Sequence, residues 1–242
     1  MTDTPLHVLA VVIGRAGSRG LPGKNALLLA GRPLICHTID DARAATTVDR
    51  VVVSTDGDAI AAAAESMAVP VVRRPPDLAT DTAPVAAAVR HAVTRHDAGG
   101  VARVIVILYA NVPVRPSDLI DRAVGVLLDT GADSVQSYCG VGKHHPFWMV
   151  SLDGLKRVTP FHDNPVDRRQ DLPSLLIPDG GVIAVTRASL LSTASDHNPH
   201  AFLGADRRGV ETAPGEVIDV DTPRDLVVAE AFLDRAVAGG VG

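Results

Sequence analysis

Short apolar runs alternate with segments of helical period along most of the chain. This alternation predicts a doubly wound α/β fold, a mostly parallel sheet with helices packed on both faces. The strand-like runs are Val8 to Ile13, Arg50 to Ser54, Pro70 to Val72, Arg103 to Leu108, Ser134 to Tyr138 and Gly181 to Val185. Between them, Pro33 is suited to a first helical position, and Leu34, Ile35, Thr38, Ile39 and Ala42 then share one face. Asp56, Gly57 and Asp58 open a second helix running to Met67, Pro84 to Arg95 forms a third, and Pro116 to Thr130 a fourth. With 46% hydrophobic residues in 242, the chain can bury a substantial core as a single domain. Ligands of such sheets collect at the carboxyl ends of the strands. The segments after Ile13, around Asp56 and from Tyr109 to Arg115 all leave such ends, so they are expected to surround one cleft.

The first of those segments reads GRAGSRGLPGKN, residues 14–25. Glycines at 14, 17, 20 and 23 permit tight turns, and Arg15, Arg19 and Lys24 place three cations in the same loop. Amide dipoles and side-chain charge can thus converge on an anion, the chemistry of holding a polyphosphate. The loop is neither of two familiar phosphate-binding types. Ser18 stands where the first glycine of GxxxxGK belongs, Asn25 follows Lys24 in place of Ser or Thr, and glycines at every third residue do not spell GxGxxG.

A second candidate lies near the other end, in GEVIDVDTPRDL, residues 215–226. If Val217 to Asp221 is extended, Asp219 and Asp221 share one face and Ile218 and Val220 the other. Two carboxylate oxygens at a strand end suit magnesium, which completes its shell with water and substrate phosphate. Thr222 then caps a helix, with Pro223 in its first position and Asp225 three residues after the cap.

A formal net charge of −5 argues against a general nucleic-acid or membrane-surface binder, because the basic character is confined to the first loop. Cys36 and Cys139 lack CxxC spacing, and the adjacent His144 and His145 do not make a convincing zinc pair. The apolar run near the N-terminus is too short for an export signal or a membrane span, so a reducing cytoplasm is the expected location. Residues 143–178 break the alternation. They mix both charges with five prolines and hold Phe147, Trp148 and Phe161. Those aromatics point to an insertion that packs against something, either a second subunit or the chain's own domain as a lid.

Taken together, GRAGSRGLPGKN, AGRPLICHTID, VVVSTDGDAI, RRPPDLATDTAP, VPVRP, RRQDLP, DGGVIAVTR and VIDVDTPRDL resemble the N-acylneuraminate cytidylyltransferase family in order, from about residue 8 to 235. The resemblance implies a Rossmann-like sheet of the nucleotide-diphospho-sugar transferase type. It implies transfer of CMP from CTP, with magnesium, to the anomeric hydroxyl of a 2-keto sugar acid, releasing pyrophosphate. Gly14, Arg15, Ser18, Arg19, Lys24, Asn25 and Arg74 match positions that bind the nucleotide, and Arg15, Lys24 and Asp221 match catalytic ones. Asp219 and Asp221 match the metal ligands. Tyr109, Asn111 and, from the partner chain, Arg168 match the sugar site, and residues 143–178 match a dimerisation arm. Two departures stand out: Tyr109 replaces a glutamine that helps hold the sugar, and Pro84 and Val85 stand where a Ser or Thr often aids the cytosine pocket. A different acceptor, such as a sugar phosphate or phosphonate, or a catalytically idle nucleotide-binding protein, are the alternative readings.

Overall fold

The computed structural model describes residues 7–17, 20–192 and 198–239. In chain order its strands are β1 (His7–Ile13), β2 (Leu28–Leu29), β3 (Arg32–Pro33), β4 (Arg50–Thr55), β5 (Val71–Arg73), β6 (Ala102–Tyr109), β7 (Ser134–Gly140), β8 (Val150–Leu152), β9 (Val158–Pro160), β10 (Leu176–Thr186) and β11 (Arg207–Thr212). The helices are α1 (Leu34–Ala44), α2 (Asp58–Ser66), α3 (Val85–His96), α4 (Leu119–Thr130), α5 (Arg187–Leu191) and α6 (Pro223–Gly239). Seven strands form one sheet in the order β11-β7-β10-β6-β1-β4-β5. All neighbouring pairs are parallel except those of β10, which runs antiparallel to both β6 and β7.

The period-2 pattern of the central strands divides their side chains between two cores. Val8, Ala10 and Val12 of β1 pack with Ile35 and Ile39 of α1, Ile60 of α2 and Leu119 to Leu127 of α4. Leu9, Val11 and Ile13 face the other way, onto Val89, Ala92 and Val93 of α3 and Leu190 of α5. Each such branched side chain contributes about 1.5–3 kcal/mol on burial, which explains why β1 and β6 are nearly continuous apolar runs.

Some boundaries differ from the expected ones for local reasons. Pro33 stands just outside α1, with extended backbone, because Arg32 and Pro33 pair with Leu28 and Leu29. Pro116 begins a turn closed by the Leu119 amide donating to its carbonyl, so α4 starts at Leu119. β11 escaped the apolar-run criterion because it is an edge strand, RRGVET, that buries only Val210 and Thr212. Val217 to Asp221 makes one isolated bridge, Ile218 to Val114, rather than a regular strand. The expected alternation holds there: Ile218 and Val220 are buried, Asp219 and Asp221 exposed.

Residues 143–178 are not featureless. Two single 3-10 turns precede the β8–β9 hairpin, and the segment returns into the sheet through the long β10. His145 is buried at its base, while Leu152, Leu155, Val158 and Phe161 are 60–74% exposed.

Candidate active site

A cleft of about 270 Å³ opens at the carboxyl ends of β1, β4 and β6, lined by Gly14, Arg15, Lys24, Asn25, Arg74, Asp81, Tyr109 and Asn111 among others. Gly14 leaves β1 with its amide donating to the Ser54 carbonyl of β4. A side chain at Gly14 is excluded by close approach, since a Cβ would lie 2.8 Å from that of Ala110. The loop then folds inward: the Asn25 amide donates to the Arg15 carbonyl at 3.0 Å, and the Ala16 amide donates to Asp56 Oδ1 at 2.8 Å. Asn25 is buried, and its Oδ1 has no partner among the described residues, leaving an acceptor that a ligand donor can satisfy.

Lys24 donates to Asp221 Oδ1, joining the loop to a residue 197 positions away. Their meeting has a packing cause. Leu29, Leu34, Ile218, Val220 and Ala229 form a third apolar cluster, with Leu21, Val114 and Leu226 packed against it. This cluster clamps the 217–222 segment beneath the glycine loop. The segment also hangs on the turn after β6, where Ile218 and Val220 amides donate to the Val114 and Asn111 carbonyls at 3.1 and 2.8 Å. Asp225 anchors the start of α6 by accepting from the Thr222 amide and hydroxyl, both at 2.8 Å, a capping arrangement that orients the preceding carboxylates.

The cleft pairs hydrogen-bond donors, charged and neutral, with carboxylates. Arg15 contacts Asp81 at 2.5 Å, and Asn111 donates to Asp219. The Asp219 carboxyl is pushed up to about 6, first by loss of water around it, then by the nearby charge of Asp221, against the pull of Lys24. The residue remains exposed, so solvent screens part of that repulsion. Arg74 is pushed down to about 10 by burial, opposed by Asp56 and reinforced by Arg15. It is therefore still charged at neutral pH, and it grips Ser54 through Nε at 2.9 Å and Nη2 at 2.8 Å. Burial and then Asp219 raise the Tyr109 phenol, keeping it neutral.

The Lys24 ammonium on Asp221 and the neutral Asn111 amide on Asp219 both converge on this pair of carboxylates. Two adjacent carboxylates suit a hard divalent cation completed by water and phosphate. Among the described residues, no group of three or more His, Cys, Asp or Glu side chains is placed to hold a metal. Of the residues singled out from sequence, Gly14, Arg15, Lys24, Asn25, Arg74, Tyr109, Asn111, Asp219 and Asp221 come together here. Arg168 does not; it is exposed in the 143–178 segment. Ser18 and Arg19 lie outside the described residues. Sequence reasoning missed Asp81 and Ser54 as partners of the two arginines. An acidic residue in the polar segment 76–84 was the available signal for the first, and nothing local marked the second.

Residues 9–174 match the profile of the cytidylyltransferase family. The chain is 31% identical over 234 residues to the CMP-N,N'-diacetyllegionaminic acid synthase of Legionella pneumophila, covering 95% of this chain and 97% of that protein. It is 29% identical over 233 residues to an N-acylneuraminate cytidylyltransferase of Streptococcus agalactiae, covering 95% of this chain but 54% of the relative, so it spans about half of that protein's length. A solved CMP:2-keto-3-deoxy-manno-octonic acid synthetase, complexed with CTP, superposes with a TM-score of 0.74 at 18% identity over 95% of this chain and 99% of that one, a likeness of fold. The family match extends from the first strand to residue 174, more than half of the chain, and the chain belongs to the cytidylyltransferase family.

Proposed function

We propose that this protein transfers CMP from CTP to the anomeric hydroxyl of a 2-keto sugar acid, releasing pyrophosphate. The observation that carries the reading is the meeting of Lys24 with Asp221 at the mouth of the cleft, which joins a polyphosphate loop to a carboxylate pair. Arg15, Arg19 and Lys24 neutralise the triphosphate, and the Ser18 hydroxyl hydrogen-bonds to it. Arg74, Asn25 and the Gly14 turn hold the nucleoside. Asp219 and Asp221 hold magnesium, which supplies charge neutralisation on the phosphates when bound. Tyr109 and Asn111 bound the space for the acceptor, and the partner's Arg168 completes it.

The acceptor oxygen bonds to the α-phosphorus while the bond to the β-phosphate oxygen breaks. Pyrophosphate leaves with that electron pair, and the hydroxyl proton passes to solvent. Such a step asks little covalent chemistry of the protein and much positioning and charge stabilisation, which suits a cleft of fixed cations. Residues 143–178 form the arm of a homodimer within a single cytidylyltransferase domain; the exposed apolar residues of its hairpin support this reading. No helix among the described residues is long and apolar enough to cross a membrane, and cytoplasmic location is part of the proposal.

The test incubates the protein with CTP, magnesium and single 2-keto sugar acids, follows pyrophosphate, and identifies the nucleotide sugar by mass. Turnover with at least one keto acid is expected. Turnover confined to sugar phosphates or phosphonates, the outcome that Tyr109 in place of an amide would favour, overturns the acceptor assignment. CTP binding without turnover of any acceptor overturns the enzymatic one.

A further inference from the structure

The Arg115 side chain is wholly buried, does not line the cleft, and spends its donors on three separate elements. Nη1 donates to Asp41 Oδ2 of α1 at 2.6 Å, Nη2 to the Val112 carbonyl at 2.6 Å, and Nε to the Gly181 carbonyl of β10 at 3.1 Å. Gly181 lies where the pairing of β10 with β7 shifts register. Thr38 of α1 adds a hydroxyl donated to the same Val112 carbonyl at 3.0 Å. A buried ion pair is a poor way to gain stability, since apolar residues often replace one without loss. What this one does gain is a fixed turn.

That turn, residues 109–115, carries much of the candidate site. It presents Tyr109 and Asn111, and its Asn111 and Val114 carbonyls hold the backbone of the Asp219–Asp221 segment. The Asn111 side chain holds Asp219 itself. On its other side the Ala110 amide donates to the Ile13 carbonyl, and Ala110 abuts Gly14 at the root of the phosphate loop. Asp41, Arg115, the turn and the carboxylate pair therefore form a continuous chain of contacts from α1 to the metal corner.

We infer that Arg115, braced by Asp41 and seconded by Thr38, is a positioning residue that sets where Asp219 and Asp221 stand relative to Lys24, and thereby governs divalent-cation affinity. This rests on the proposed function, in which that pair holds the metal. Arg115→Lys keeps the charge opposite Asp41 but cannot span all three acceptors. Thr38→Val removes only a hydroxyl.

Manganese binding to the full chain with CTP and no acceptor, read by electron paramagnetic resonance, should weaken about 10–100-fold in Arg115→Lys, as for other residues that orient metal ligands. A smaller change of the same sign is expected in Thr38→Val. Amide exchange at Ile218 and Val220 should quicken while that of Val106 does not, and CTP binding without metal should stay within twofold of wild type. In turnover, kcat at low magnesium should fall and recover at high magnesium. Manganese affinity and exchange within twofold of wild type in a folded Arg115→Lys overturns the inference; if that variant does not fold, the same result in Thr38→Val does. A wild-type protein that binds manganese and CTP but turns over no acceptor sinks the functional reading alone, because the manganese comparison still decides the positioning role.

Discussion

Asp219 sits in an environment at odds with its charge. A carboxyl pushed up to about 6 costs the folded state free energy whenever it is ionised. The penalty is complete above pH 6, shrinks between 6 and the unfolded value near 4, and vanishes below that. Asp219→Asn should therefore raise the metal-free melting temperature at pH 7 to 8, with the gain disappearing by about pH 4, while turnover is lost. Thermal scans across that range check the sign; a variant less stable at pH 8 would show that Asp219 is stabilising as it stands. A site that spends stability to hold like charges together is one that expects a cation.

Among the elements, the glycine loop and the segment before α6 meet at backbone distance. A Cβ built on Gly20 would lie 2.8 Å from the Asp221 carbonyl oxygen, and neither partner is the yielding tip of a side chain. Gly20→Ala should push the loop away from the carboxylates and lower kcat/KM tenfold or more, because displacements of about 1 Å in a positioned site cost on the order of 10²-fold. Gly20 is exposed, so the melting temperature should move little. Steady-state kinetics beside a thermal scan separate the two, and unchanged kinetics would mean that the loop's approach to Asp221 has no catalytic role.

For the whole molecule, the β8–β9 hairpin stands out from the domain with Leu152, Val158 and Phe161 exposed. An isolated two-stranded hairpin is marginal in water, and this one has apolar side chains that a second subunit would cover. Sedimentation should give a dimer for the wild type and a monomer, with reduced turnover, for Phe161→Glu combined with Leu152→Asp. A monomeric wild type would instead make residues 143–178 a lid over their own domain. The fold was legible because β1, β6 and the helices obey strong periodicities, and the loop because its glycines and cations are contiguous in sequence. Asp219 and Asp221 were legible as a pair since extended backbone puts alternate residues on one side even without regular pairing. The roles of Asp81, Ser54 and Arg115 were not, because each depends on a partner 20 to 74 positions away.

The amino-acid sequence by itself determined the layered α/β architecture, the glycine- and cation-rich character of residues 14–25 and the acidic pair, since all three follow from local pattern and composition. Only the tertiary structure decided that Lys24 meets Asp221, that Arg115 braces the turn between them, and that Asp219 is hard to ionise. Long-range apolar packing of Ile218 and Val220 against Leu29 and Leu34 brings the two ends of the chain together. Burial and the nearby charge of Asp221, which no stretch of sequence records, then make Asp219 hard to ionise.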